Sequence, residues 1–212
     1  AVANATGLAV ADEGLSFEPA SVHDLPLLLR PRSDGGILPR PGVLDVVSCI
    51  RPDETFVEDN LRWGVFVSFT SESAYALRCF GEYGVETDPS GRYAVLYRPF
   101  HLIGLEIGVS IAPVGSPYAG HRAEVVCATR RAMRAGDIVD GEGGYAVYGT
   151  CVPARSAREQ RLVPMGLVHG LKLKHDVPAD HPIGEDDVTF VEGSFLWRLR
   201  REQDAIFSAA AV

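Results

Sequence analysis

The sequence predicts an α+β fold followed by a small all-β module, and three observations carry that expectation. Up to about residue 114, β-branched runs alternate with segments of helical spacing over short links, as in a layer of strands and helices. After Pro113-Val-Gly-Ser-Pro-Tyr-Ala-Gly the pattern changes to short apolar segments separated by turns. The charge changes sign with the pattern: residues 1–119 hold 15 acids and 8 bases, residues 120–174 hold 5 and 9, and residues 175–212 hold 8 and 3. The expected division is therefore 1–114, a linker at 115–120, a β module at 121–191, and a tail at 192–212 ending in a short helix.

In chain order, Ala-Val-Ala-Asn-Ala-Thr-Gly reads as the last turns of a helix closed by Gly7, so the sequence reads as a fragment of a longer chain. Ser21 with Asp24, ahead of a run of leucines, fits a capping box on one short helix. The prolines and glycines from 31 to 42 remove donors and make irregular backbone. Val43–Ile50, Trp63–Phe69 and Arg92–Tyr97 read as strands, and Ser71–Tyr83 as a helix stopping at Gly84. Phe100–Ala112 is apolar nearly all round, with Gly104 and Gly108 on one face. Such a helix is either central to this module or packed against a further domain. Beyond residue 121 come short segments such as Glu124-Val-Val-Cys-Ala-Thr and Leu171-Lys-Leu-Lys, and then the amphipathic Phe195-Leu-Trp-Arg-Leu-Arg-Arg-Glu.

Composition excludes several classes. With 212 residues, 46% of them hydrophobic, and a net charge of −8, the chain has material for a core and is not disordered over most of its length. No apolar run reaches the roughly 18 residues of a membrane-spanning helix. The nearest, Phe100 to Val114, is shorter and carries Glu106. Basic residues are neither dense nor interleaved with aromatics, so neither nucleic acid nor a membrane is expected as a partner. The four cysteines are 30, 48 and 24 residues apart, in apolar contexts, and read as structural thiols of a reducing, cytoplasmic compartment.

Few motifs carry chemistry. Gly141-Glu-Gly-Gly lacks the lysine and the strand-to-helix setting of a phosphate loop and reads as a turn. The six histidines show no metal-ligand spacing, and no metal is expected. Arg98 and His101 flank Pro99-Phe100 at a strand-to-helix junction, where helix N–H groups favour an anion. They read either as a site for a phosphate or carboxylate, or as a helix cap beside a surface arginine.

Two blocks resemble a known family. Arg92-Tyr-Ala-Val-Leu-Tyr-Arg-Pro-Phe-His-Leu-Ile-Gly-Leu-Glu and Ala132-Met-Arg-Ala-Gly-Asp-Ile-Val-Asp-Gly-Glu-Gly-Gly-Tyr-Ala-Val-Tyr-Gly resemble homoserine-dehydrogenase-like NAD(P)-dependent oxidoreductases. The subgroup is the deoxyxylulose-phosphate-reductoisomerase-like one with a C-terminal SAF domain, and Ala-Asn-Ala-Thr-Gly-Leu looks like the end of its catalytic-domain helix. The resemblance implies a partial catalytic domain followed by a β-clip-like SAF domain. It implies His101 as a catalytic group that orients a hydroxyl or carbonyl. Arg98, Tyr97 and Asn4 would bind a small anionic substrate, a hydroxylated acid or a sugar phosphate. The glycine-rich dinucleotide loop of the family is not matched. NAD(P) is thus expected to belong to a Rossmann domain outside this sequence, the chain alone to be redox-inactive, and the parent to be a homo-oligomer. SAF-type domains also occur in sugar-acid lyases and in pilus or flagellar chaperones, so a non-enzymatic binding or assembly module is the alternative.

Overall fold

The computed structural model describes residues 1–100, 120–190 and 193–209. The apolar stretch after Phe100 and most of the expected linker lie outside the described residues. The chain divides into two compact units, Ala1–Gly14 with Gly120–Val212, and Leu15–Ala119. The sequence pattern groups the first 14 residues with those that follow; in the structure they belong to the same unit as residues 120–212.

In chain order the described helices are α1 (Val2–Thr6), α2 (Leu25–Leu28), α3 (Ala74–Glu82), α4 (Ala154–Glu159) and α5 (Phe195–Ala209). The strands of the first half are β1 (Ala9–Val10), β2 (Glu18–Pro19), β3 (Val43–Leu44), β4 (Val47–Ser48), β5 (Val65–Phe69), β6 (Glu86–Thr87) and β7 (Ala94–Arg98). Those of the second are β8 (Ala123–Thr129), β9 (Val147–Pro153), β10 (Lys172–Leu173) and β11 (Val188–Thr189).

In the unit Leu15–Ala119, the capping box forms as expected: Ser21 Oγ accepts from the Asp24 N–H at 3.3 Å, and Asp24 Oδ2 accepts from the Ser21 N–H at 2.9 Å. It opens a 3-10 turn that runs into α2. Leu25 and Leu29 bury completely beside Ala20, Leu61 and Val95, with Phe66 and Tyr97 packed on them. The strand expected over Val43–Ile50 is instead two short strands. Between them, Asp45 Oδ1 accepts from the N–H groups of Ser16 and Val46, both at 2.8 Å, and so offers the backbone an alternative to the ladder. The three-stranded antiparallel sheet has the order β5-β7-β6. α3 begins at its N-cap Ser73, and Phe80 meets Phe69 edge-to-face with 5.2 Å between ring centroids.

In the other unit, α1 ends as expected at Gly7, whose φ of 78° lets its N–H reach the Ala3 carbonyl. β8 and β9 pair antiparallel over seven residues each, with Val126 opposite Thr150. The inward side chains of this pair bury with Met133, Val139, Val163, Leu173, Ile183 and Val188. Single bridges such as Met133 with Val177 and Leu162 with Gly184 replace longer strands, which is the short-segment pattern of the sequence. The stretch 121–191 is nevertheless not purely β, since it includes α4. Trp197 of α5 joins the core, 4.5 Å edge-to-face from Phe190. Cys127 is fully buried and its thiol is pushed up to about 12 by burial, with the Asp140 charge adding to it, so it is inert. Cys49, Cys79 and Cys151 are half-buried free thiols.

Candidate functional site

Tyr97 and Arg98 end β7, opposite Phe66 and Val65 of β5. Strand alternation sends neighbours to opposite faces. Tyr97 turns to the core, while Arg98 is exposed on the face that also shows Val65, Val67 and Leu96. The Arg98 guanidinium stands 4.7 Å from the centroid of the Phe100 ring. Gly64 permits this close packing, because a Cβ there would lie 2.4 Å from Tyr97 Cε2 and 3.0 Å from the Arg98 carbonyl oxygen. Trp63, just before it, has φ 66°, a left-handed conformation uncommon for a large side chain, so the strand expected from Trp63 starts only at Val65. This end of the sheet therefore presents a guanidinium and exposed aromatic rings, a chemistry that suits a phosphate or carboxylate.

The residues expected to act together are not all placed here. His101 lies outside the described residues. Asn4 belongs to the other unit. There its Oδ1 accepts from the N–H groups of Arg122 and Ala123 at 2.7 and 2.8 Å, and its Nδ2 donates to the Ala123 carbonyl at 3.1 Å. All three bonds fasten the start of β8 to α1. Replacing Asn4 by alanine is expected to cost about 1–2 kcal/mol, because two backbone donors lose their acceptor. Urea unfolding measures this, and a loss below about 0.5 kcal/mol would show that water replaces the amide at no cost.

A second polar cluster escaped the sequence reading. Asp88 is buried, with 1% of its side chain exposed, in the turn Asp88-Pro-Ser-Gly-Arg-Tyr. Its Oδ1 accepts from the N–H groups of Arg92 and Tyr93 at 3.0 and 2.9 Å. Its Oδ2 accepts from Ser90 Oγ at 2.7 Å and from Arg30 Nη1 at 3.4 Å. Burial opposes its charge, but the bonds from Tyr93, Ser90 and Arg92 outweigh that and hold the carboxyl below its usual range. The Tyr93 hydroxyl donates to Asp34, and the guanidinium of Arg30 lies 5.9 Å from the Tyr93 ring centroid. A carboxylate with every lone pair engaged is a poor proton acceptor, so this cluster is a clamp on the β6–β7 turn. The Asp-Pro-Ser-Gly turn chemistry was its one local signal.

The family model of the oxidoreductase DRL catalytic domain matches residues 1–107, just over half of the 212 residues. The chain belongs to this family. It therefore carries an oxidoreductase catalytic domain, and Asn4, Tyr97, Arg98 and His101 all fall within the matched residues. Among curated proteins, no match is found. No helix among the described residues is long and apolar enough to cross a membrane, and no group of three or more His, Cys, Asp or Glu among them is placed to hold a metal ion.

The nicotinamide coenzyme implied by the family resemblance needs a glycine loop whose N–H groups are open to its phosphates. Gly141–Gly144 does not fit. Asp140 Oδ2 already accepts from the N–H groups of Tyr145 and Ala146 at 2.6 and 2.8 Å, and a Cβ at Gly144 would lie 2.2 Å from the Asp140 carboxyl carbon. A carboxylate occupies the place where a phosphate would bind, and its charge would repel one.

Proposed function

We propose that this chain is the substrate-side part of a homoserine-dehydrogenase-like, NAD(P)-dependent oxidoreductase with a C-terminal SAF-type module, acting on a small hydroxylated acid or sugar phosphate. The family match over residues 1–107 carries this reading. The nicotinamide supplies the redox chemistry and is presented by a separate dinucleotide-binding domain, since Gly141–Gly144 does not fit it. Arg98 binds the anionic group of the substrate with charge-assisted hydrogen bonds, and the Phe100 ring below its guanidinium limits the orientations it adopts. Tyr97, packed against Gly64, fixes the end of the strand that carries Arg98.

Two measurements test the reading. NADPH and NADH, followed by fluorescence, are expected to show no binding to the 212-residue chain at micromolar concentrations. Micromolar binding of either would overturn the placement of the coenzyme. In amide NMR spectra, glycerol 3-phosphate is expected to shift Val65, Leu96 and Arg98, and the shifts are expected to vanish in Arg98→Ala. Shifts at these amides that persist in the variant would overturn the site.

A further inference from the structure

We propose that the unit formed by Ala1–Gly14 and Gly120–Val212 carries a second binding site, for a small organic oxyanion (a phosphate monoester or a carboxylate), in the cavity between α4 and α5. The cavity has a volume of about 300 Å³, and Ala157, Leu162, Pro164 and Trp197 give it an apolar floor. Its polar lining holds four guanidinium groups, Arg158, Arg161, Arg200 and Arg201, against two carboxylates, Glu185 and Asp204.

Three of these cations are already neutralised. Arg161 and Arg201 share Glu185, each with a contact of 2.9 Å, and Arg161 also reaches Asp186 at 3.3 Å. Arg200 pairs with Glu124, and its Nε donates to Asp204 Oδ2 at 3.1 Å. Arg158 is different. Its Nη1 donates to His121 Nδ1 at 3.1 Å, and among the described residues no carboxylate pairs with it. A guanidinium has only donors, so His121 Nδ1 is an acceptor there; its Nε2 then carries the proton and donates to Glu124 Oε2 at 2.9 Å. The imidazole that orients Arg158 brings no negative charge, so among the described residues the Arg158 charge is uncompensated. A half-buried cation without a counter-ion is costly unless an anion completes it. Arg161 and Arg201, each more than half exposed, stand on the same cavity and add donors to the fork of Arg158. The apolar floor favours an oxyanion joined to a carbon skeleton over a bare ion. This site is independent of the one at Arg98, since it is built from other residues in the other unit.

The test is an NMR titration of the full chain with glycerol 3-phosphate, glycerate and inorganic phosphate, reading the Trp197 indole and the amides of residues 157–161. Glycerol 3-phosphate or glycerate is expected to shift them with a dissociation constant below about 1 mM, about −4 kcal/mol by the standard conversion, and to bind more tightly than inorganic phosphate. Whichever of the two binds better identifies the source of the oxyanion. Arg158→Gln and Arg161→Gln are each expected to weaken binding about tenfold or more, the loss of one charge-assisted contact. Arg155→Gln, on the same helix but 84% exposed and paired with Glu159, is expected to change nothing. Arg161 is mostly exposed, so its variant keeps the test valid if Arg158→Gln does not fold. The proposal is overturned if no probe shifts these signals at 10 mM, if inorganic phosphate alone binds, or if either Arg161→Gln or a folded Arg158→Gln binds as the parent does.

Discussion

Asp88→Ala is expected to lower stability by about 3–5 kcal/mol, the cost of removing one partner from a buried charged pair. The side chain accepts from two backbone N–H groups, a serine hydroxyl and Arg30, and alanine removes that acceptor from all four, leaving the Arg92 N–H only Ser90 Oγ at 3.3 Å. Arg30 itself has only 17% of its side chain exposed, so water does not fully replace the lost carboxylate. A domain of ordinary stability has about 5–15 kcal/mol in total, so this single change removes a third or more of a marginal one. Urea unfolding reads the total, and amide exchange at Arg92 and Tyr93 reads the site, where protection should fall most. Asp88→Asn keeps an acceptor and loses the charge, so it should cost about half as much. A loss below about 1 kcal/mol in Asp88→Ala would mean that the clamp contributes little.

The contrast between Asp88 and Ser21 shows what was legible in the sequence. The capping box and the Gly7 stop involve partners within four residues, so local spacing announces them, whereas α3, expected from Ser71, begins at Ala74 behind its N-cap Ser73. Asp88 reaches Arg30 across 58 positions, and Asp45 reaches Ser16 across 29. Nothing in a local window signals such pairs, and the same two carboxylates also take nearby N–H groups that an expected strand would have used. Asp45 split Val43–Ile50, and Asp88, by taking the N–H groups of Arg92 and Tyr93, delayed the start of β7 to Ala94. β6 was illegible for a related reason, since Glu86–Thr87 is a strand only because β7 pairs with it. At the candidate site, Tyr97 and Arg98 were legible because Tyr-Arg-Pro-Phe marks the end of a strand. The bonds that commit Asn4 to Arg122 and Ala123, about 118 residues away, were not. The strongest functional signal was therefore the family pattern over residues 1–107, not any single motif.

Glu124→Ala is expected to cost about 3–5 kcal/mol and to release α5 from the β8–β9 layer, again as the loss of one member of a buried charged pair. Glu124 of β8 accepts from His121 Nε2 and from Arg200 of α5, and the exposed fractions of the three side chains are 15%, 5% and 10%. With alanine, Arg200 keeps only Asp204, on its own helix, and α5 loses its charged anchor on β8. The Trp197 indole NMR signal and the amide exchange of α5 report the release, because Trp197 packs on the core of this unit. Burial of Glu124 opposes its charge, but the hydrogen bonds from His121 and Arg200 and the Arg200 charge outweigh burial, so its carboxyl titrates below the ordinary value of 4.5. A carboxyl with a lowered folded pKa stabilises the fold fully above its unfolded pKa, and loses that contribution as the pH falls through the folded one. The parent protein should thus lose stability of this unit as the pH drops below about 4.5, more steeply than Glu124→Gln, which has no proton to take up there. Parallel pH profiles for the parent and Glu124→Gln, read at Trp197, would show that the Glu124 charge contributes nothing to holding α5.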